Sequence, residues 1–171
     1  IIQVVKLIYL RNIKRYLSPR GKYLGVDISR KMIAQFKKKC AEFPGAGIIQ
    51  ARAERTLPFK IKFDKVLISF VLHGFPPETR EAIIGNARRV LKGGGEFFIL
   101  DYNEFSVDEM PFYFRVPFKL IECSYAFDFI QRNLEMILKK RGFNYFEKHL
   151  FFSGYVRLLK ARKIRRDDYE Y

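Results

Sequence analysis

The chain has 171 residues, with 33 Lys and Arg against 18 Asp and Glu, which gives a formal net charge of +15. Hydrophobic residues make up 49% of the chain, a composition that excludes disordered, collagen-like and low-complexity proteins. The two cysteines, Cys40 and Cys123, provide neither a disulfide framework nor a CxxC spacing, so no metal site is expected. Because no apolar stretch is long enough to span a bilayer, we expect one soluble, cytoplasmic domain over 1–171.

Helical and strand-like hydrophobic periods alternate along the first hundred residues. Apolar residues at helical spacing predict helices over 6–17, 30–43 and 78–91. Short apolar runs predict strands over 23–27, 47–51, 63–70 and 96–101. Ser29 is placed to cap the second helix. This order predicts an α/β fold, a Rossmann-like doubly wound sheet of mostly parallel strands.

The last third of the chain has a different pattern. A helix is expected over 126–140, followed by two strands over 143–152 and 155–161. Ser153-Gly154 between these strands is short enough for a hairpin turn. We therefore expect the sheet to end in a C-terminal antiparallel hairpin, followed by a charged tail over 162–171.

Ligands of open α/β sheets bind beyond the carboxyl ends of the strands, which directs attention to the residues that follow each strand. Asp27 ends the strand over 23–27, and a carboxylate at that place can accept hydrogen bonds from both hydroxyls of a ribose. The alternative is that Asp27 only caps the next helix. One carboxylate can also do both.

Four short segments, taken in this order, match a known family. They are Gly25-Val26-Asp27-Ile28-Ser29, Leu57-Pro58-Phe59, the run 63–73, and Arg89-Val90-Leu91-Lys92-Gly93-Gly94-Gly95. Together with the terminal hairpin, they resemble class I S-adenosylmethionine-dependent methyltransferases over residues 22–161, especially the UbiE-like (methyltransferase type 11) branch of quinone biosynthesis. The resemblance implies the class I methyltransferase fold, methyltransferase activity, and S-adenosylmethionine as the cofactor.

The resemblance also implies which residues contact the cofactor. It assigns Asp27 to the ribose hydroxyls, Ile28, Ala53 and Glu54 to the adenine, and Ser69 and Phe70 to the methionine part. His73 then lies near the methyl donor and is the candidate catalytic base. The alternative for His73 is a structural or substrate-packing role.

A Gly-rich loop, which the family places about 20 residues before the ribose acid, is absent from the sequence. Positions 1–20 contain no glycine. We expect the N-terminal strand and this loop to be missing or disordered, with a chain break near Val5 and Lys6. The alternative, a continuous chain without the loop, favours an inactive methyltransferase-like binding module.

Aromatic residues are dense after the fourth strand. Tyr102, Phe105 and Phe112 are expected to line a pocket for a small-molecule or lipid-like acceptor such as a quinone precursor. The alternative is a lid over 102–122 that packs on the domain. The net charge also fits RNA or another polyanion, peripheral contact with an anionic membrane, or the charged surface of a heat-adapted protein.

Overall fold

The computed structural model describes residues 2–4, as backbone, and residues 21–165. The helix expected over 6–17 and the break expected near Val5 and Lys6 lie outside the described residues, as does the tail beyond residue 165.

One sheet organises the described residues. Its strands are β1 Ile2–Val4, β2 Tyr23–Asp27, β3 Ala46–Gln50, β4 Phe63–Ser69, β5 Leu91–Tyr102, β6 Phe143–Phe151 and β7 Val156–Lys163. They lie side by side in the order β3-β2-β1-β4-β5-β7-β6. The first five are parallel, whereas β7 is antiparallel to both β5 and β6. The expected Rossmann-like sheet with a terminal antiparallel hairpin is thereby confirmed.

The N-terminal strand is present, so the expectation that it would be missing was wrong. Val4 of β1 pairs with Val26 of β2 on one side and with Ile68 of β4 on the other. A strand of three residues is stable in this position because both neighbouring strands supply hydrogen-bonding partners. β1 thus completes the centre of the sheet.

The helices are α1 Arg30–Lys39, α2 Pro77–Val90, α3 Phe112–Ile121, α4 Ser124–Ile130 and α5 Leu134–Lys140, and a short 3-10 turn covers Leu72–Gly74. Ser29 caps α1, since its Oγ accepts a hydrogen bond from the backbone N–H of Met32 at 3.3 Å. This confirms the predicted cap.

One prediction for the last third was wrong. The single helix expected over 126–140 is two helices, α4 and α5, because Asn133 starts a new one: its Oδ1 accepts from the N–H of Met136 at 2.8 Å. The segment 102–122 contains α3, for which no element was predicted, and Pro117 lies inside this helix. Pro111 directly precedes the first turn of α3. Proline is tolerated there because the N–H that it lacks would have no partner within the helix.

Strand β5 starts earlier than the expected 96–101, at Leu91, so the glycines at 93–95 lie within the strand. A Cβ added to Gly95 would lie 3.0 Å from the carbonyl oxygen of Asp64 in β4. Glycine therefore allows the two strands to approach each other closely at this point.

The buried apolar side chains of residues 21–165 form a large and a small cluster. The large cluster joins the sheet to α2, α4 and α5 through residues such as Ile83, Phe97 and Leu138. In the small one, Phe36 of α1 stacks on Tyr23 of β2, with ring centroids 5.9 Å apart. These helices therefore hold the sheet in place. Because β2, β4 and β5 are parallel, their carboxyl ends lie at the same edge of the sheet.

Candidate functional site

A cavity of about 270 Å³, here called the β2–β4 pocket, lies at the carboxyl ends of β2 and β4. Its walls are Val26, Asp27, Ile28, Ala51, Arg52, Ala53, Glu54, Phe70, Val71 and Phe75. Ser69, the other residue that the resemblance assigns to the cofactor, does not line this cavity. The remaining five of those residues lie around it.

Asp27 is held in place by the turn that leads into α1. Its Oδ1 accepts a hydrogen bond from the N–H of Ser29 at 2.7 Å. Ser29, not Asp27, is the N-cap of α1. Within residues 21–165, Oδ2 of Asp27 has no hydrogen-bond partner, so one carboxylate oxygen remains available to a ligand.

Two other residues of the wall form an ion pair. Arg52 Nε donates to Glu54 Oε1. Burial acts to raise the pKa of Glu54, but hydrogen bonds from its own backbone N–H and from Arg52, with the charges of Arg52 and Arg55, lower it. Asn86 of α2 donates to the carbonyls of Ala53 and Arg55, each at 2.8 Å. Helix α2 therefore fixes this loop, with Glu54 negatively charged.

The end of β4 combines an unpartnered hydroxyl with a strained residue. Ser69 is fully buried, and its Oγ has no hydrogen-bond partner among the residues that the structure describes. Phe70 has a φ of 51°, in the left-handed region that costs an L-residue about 1–2 kcal/mol. The N–H of Phe70 donates to the carbonyl of Leu100 in β5 at 2.8 Å, which secures this conformation.

A second cavity, of about 380 Å³ and here called the α3 cavity, lies between the end of β5, α3 and the hairpin. It is lined by Tyr102, Met110, Phe114, Pro117, Phe118, Ile121, Glu122, Phe152, Ser153 and Tyr155. Of the residues expected to bind the acceptor, Tyr102 lines this cavity. Phe105 packs against Phe118 and Tyr155 outside the lining, and Phe112 is 70% exposed on the outer face of α3.

His73 lies between the two cavities. Its ring centroid is 6.4 Å from that of Phe70, in the wall of the β2–β4 pocket. It is 4.8 Å from the ring centroid of Tyr102, in the wall of the α3 cavity. The imidazole thus contacts one aromatic side chain from each cavity.

Asp101 holds the imidazole of His73 in position. Its carboxylate is fully buried, and its Oδ1 lies 2.6 Å from Nδ1 of His73. It also accepts from the backbone N–H groups of Leu72 and His73 through Oδ2, and of Tyr102 through Oδ1. With Nδ1 donating to Asp101, the neutral imidazole leaves Nε2 unprotonated and able to accept a proton.

Glu122 faces the other nitrogen of His73. Its Oε2 lies 3.9 Å from Nε2 of His73, and its Oε1 accepts a hydrogen bond from the hydroxyl of Tyr102. Burial, followed by the hydrogen bond to Glu122 and its charge, raises the pKa of Tyr102 above its usual range. Tyr102 therefore remains a protonated donor, and a protonated His73 would lie between two carboxylates.

Arg80 of α2 links the 3-10 turn over Leu72–Gly74, which contains His73, to α4. Its buried guanidinium donates to the carbonyl of Leu72 at 3.1 Å, to the carbonyl of Tyr125, and to Oδ2 of Asp128 at 2.6 Å. Asp128 also forms an ion pair with Arg132 on the surface. Arg80 is thus the residue through which the turn beside His73 is fastened to the helices that follow.

We expect Arg80→Met to lower the free energy of unfolding by about 2–4 kcal/mol, because the buried carbonyl of Leu72 and the partly buried carbonyl of Tyr125 lose their donor. Urea denaturation would measure the loss. Arg132→Met is the matched control, since it breaks only a surface pair and should cost less than about 1 kcal/mol. Equal stability of the two variants would contradict the role of Arg80.

Asp101 is one of the residues that follow the strands, to which the sequence directs attention, but no role was predicted for it. Glu122 and Arg80 were not predicted for the site. Nothing in the local sequence indicates them, since their roles depend on contacts between distant parts of the chain. Among the described residues, no three His, Cys, Asp or Glu side chains are grouped to hold a metal ion. No helix there has the length and apolar character needed to cross a bilayer.

Sequence comparisons identify similar proteins. A family model described as a methyltransferase domain matches residues 8–95. An uncharacterized methyltransferase of Synechocystis sp. is 33% identical over 153 residues, which cover 86% of this chain and 68% of that protein. The ubiquinone/menaquinone biosynthesis C-methyltransferase UbiE of Wigglesworthia glossinidia brevipalpis is 30% identical over 98 residues, 55% of this chain and 38% of that protein.

Solved structures share the fold at low sequence identity. The CurJ carbon methyltransferase matches with a TM-score of 0.74 and 17% identity, over 95% of this chain and 48% of that one. A SAM-dependent methyltransferase from Aquifex aeolicus matches with a TM-score of 0.67 and 15% identity, over 95% of this chain and 81% of that one. The matched region covers about half of the CurJ protein and less than half of UbiE.

Proposed function

This chain belongs to the family of S-adenosylmethionine-dependent methyltransferase domains, and from that premise we propose that it transfers a methyl group to an apolar, ring-containing small molecule bound in the α3 cavity. The observation that carries the proposal is the place of His73. It contacts Phe70 of the β2–β4 pocket and Tyr102 of the α3 cavity, which supports His73 as a base between a methyl donor and an acceptor.

The β2–β4 pocket has the chemistry that a nucleoside requires. Asp27 has a carboxylate oxygen without a partner among residues 21–165, which can accept from ribose hydroxyls. Ile28, which is 55% exposed, and Ala53 supply apolar surface for a base. Asp27, Ile28 and Ala53 would therefore hold the adenosine part of the cofactor. The cofactor supplies an electrophilic methyl group on a sulfonium.

His73 would receive the proton that the acceptor loses. With S-adenosylmethionine bound, its sulfonium would supply the methyl group, and the proton that the acceptor atom loses would pass to Nε2 of His73. Asp101 keeps Nε2 free to accept, because it binds Nδ1 on the opposite side of the ring. Glu122 and Asp101 then stabilise the imidazolium that results.

The lining of the α3 cavity supports an apolar acceptor such as a quinone precursor. Aromatic and aliphatic side chains form most of its wall, and the polar exceptions include Tyr102 and Glu122. The hydroxyl of Tyr102 and the carboxylate of Glu122 can orient a ring hydroxyl of the acceptor. The volume of about 380 Å³ accommodates a ring-containing small molecule.

The test is an acceptor assay that detects S-adenosylhomocysteine. Protein and S-adenosylmethionine are incubated with a hydroquinone bearing a short isoprenoid chain, or with the same chain bearing a primary alcohol, or with an RNA oligonucleotide. We expect product with the hydroquinone and none with the alcohol or the RNA, because the cavity selects an apolar ring with an acidic hydroxyl.

Two results would overturn the proposal. Product formed with RNA alone would identify the basic surface as the binding site for a polyanionic acceptor. Failure of calorimetry to detect binding of either S-adenosylmethionine or S-adenosylhomocysteine would indicate an inactive binding module.

A further inference from the structure

The outer face of α3 is apolar, although it faces solvent. Leu120 and Ile121 are 80% and 79% exposed, and Phe112, Tyr113 and Val116 are also exposed. Phe112, Tyr113, Val116 and Leu120 recur at the spacing that places side chains on one side of a helix, and Ile121 lies next to this face on the side of the α3 cavity. A helix that also packs Phe118 inward is therefore apolar on two faces, a pattern typical of helices covered by an apolar environment.

The turn of the β6–β7 hairpin extends this surface. Phe152 is 78% exposed in that turn, and it lines the α3 cavity together with Ile121 and Phe114. The exposed residues of α3 and Phe152, here called the α3–hairpin patch, therefore adjoin the cavity through Phe114, Ile121 and Phe152.

The charge of the chain distinguishes between two surfaces that could cover the patch, a second copy of the chain and an anionic surface. The chain carries a net charge of +15, so two copies repel each other, whereas an anionic surface attracts the chain. Arg115 and Lys119 lie on α3 itself, beside the apolar face. Lys119 pairs with Asp108 only at 3.6 Å, with both side chains exposed, so it can exchange this partner for a lipid phosphate.

We propose that the α3–hairpin patch docks on the surface of an anionic lipid bilayer, from which the acceptor enters the α3 cavity. The apolar side chains of α3 and Phe152 insert at the boundary between headgroups and acyl chains, while Arg115 and Lys119 remain with the phosphates. For the identity of the acceptor, this inference rests on the function proposed above. The docking itself depends only on the surface.

The absence of tryptophan from the chain allows a site-specific test. Phe152→Trp places a single indole in the patch, and Ile61→Trp places one at an exposed position outside it. Each protein is titrated with vesicles of phosphatidylcholine alone or mixed with phosphatidylglycerol. We expect the emission of the Phe152→Trp protein to shift to the blue only with the anionic vesicles, and that of the Ile61→Trp protein to stay unchanged.

Affinity is measured in parallel by co-sedimentation with the anionic vesicles. The double substitution Leu120→Ser and Ile121→Ser should weaken binding at least about tenfold, since two exposed aliphatic side chains lose their apolar contact. Ile61→Ser is the matched control and should bind as the unaltered chain does. Because cofactor and acceptor are absent, the result is independent of methyl transfer.

Three outcomes would overturn the inference. The first is no binding to anionic vesicles. The second is equal binding of the Leu120 and Ile121 variant, which would assign the attraction to overall charge alone. The third is a dimer in solution that the double substitution dissociates, which would assign the patch to a second copy of the chain.

Discussion

Substitution of His73 by asparagine is expected to lower the rate of methyl transfer by about 10²–10⁴-fold, the contribution typical of a general base. Asparagine retains a nitrogen that can donate to Asp101, in the position of Nδ1, but it lacks Nε2. The turn over Leu72–Gly74 should therefore keep its structure. Binding of S-adenosylmethionine should be unchanged, because His73 does not line the β2–β4 pocket.

The rate is measured as formation of S-adenosylhomocysteine in the acceptor assay, and affinity by calorimetry. His149→Asn is the control, since His149 is the second of the two histidines in the chain and lies exposed on β6. Undiminished turnover of the His73→Asn protein would refute its role as base and leave it a packing residue. A loss of cofactor affinity equal to the loss of rate would instead place His73 in cofactor binding.

Asp27→Asn is expected to reduce the affinity for S-adenosylhomocysteine by about 10- to 100-fold. Hydrogen bonds to a charged group contribute about 1.5–3 kcal/mol, and each 1.4 kcal/mol corresponds to a factor of ten. Asparagine keeps an oxygen that can accept from the N–H of Ser29, so the start of α1 should be preserved. What the variant loses is the second acceptor and the negative charge.

Calorimetric titration measures this change, with Asp64→Asn as the control. Asp64 is an exposed aspartate at the beginning of β4, on the opposite edge of the sheet, where it pairs with Lys92. Its substitution should leave the affinity unaltered. If Asp27→Asn binds as tightly as the unaltered chain, the ribose assignment is wrong, and Asp27 serves only the turn before α1.

The sequence was sufficient to predict the parallel part of the sheet, because buried strands and amphipathic helices have different hydrophobic periods. The candidate site residues at strand ends, such as Asp27 and His73, followed from the general rule for open α/β sheets. Ser29 was recognisable as a cap from its residue type and from its position before α1.

The sequence did not predict the parts of the site that depend on tertiary contacts. Helix α3 contains Pro117, which reduces helix propensity, yet the packing of Phe118 against Tyr102 and Phe127 stabilises it. The bond between Tyr102 and Glu122 joins residues far apart in the chain. The local sequence also does not indicate that Nδ1 of His73 forms its hydrogen bond with Asp101 rather than with solvent.

The three bonds of Arg80 restrict which parts of this site can move independently. Because its guanidinium holds both the carbonyl of Leu72 and the carbonyl of Tyr125, a displacement of α4 would pull on the residue before His73. Helix α3 has no bond to Arg80 and is joined to α4 through Glu122 and Cys123. A hinge on the α4 side that widens the α3 cavity without moving His73 therefore lies at these two residues. Proline at Cys123, where φ is already −79°, would stiffen the hinge and slow exchange of the acceptor, while Glu122 keeps its contacts with Tyr102 and His73.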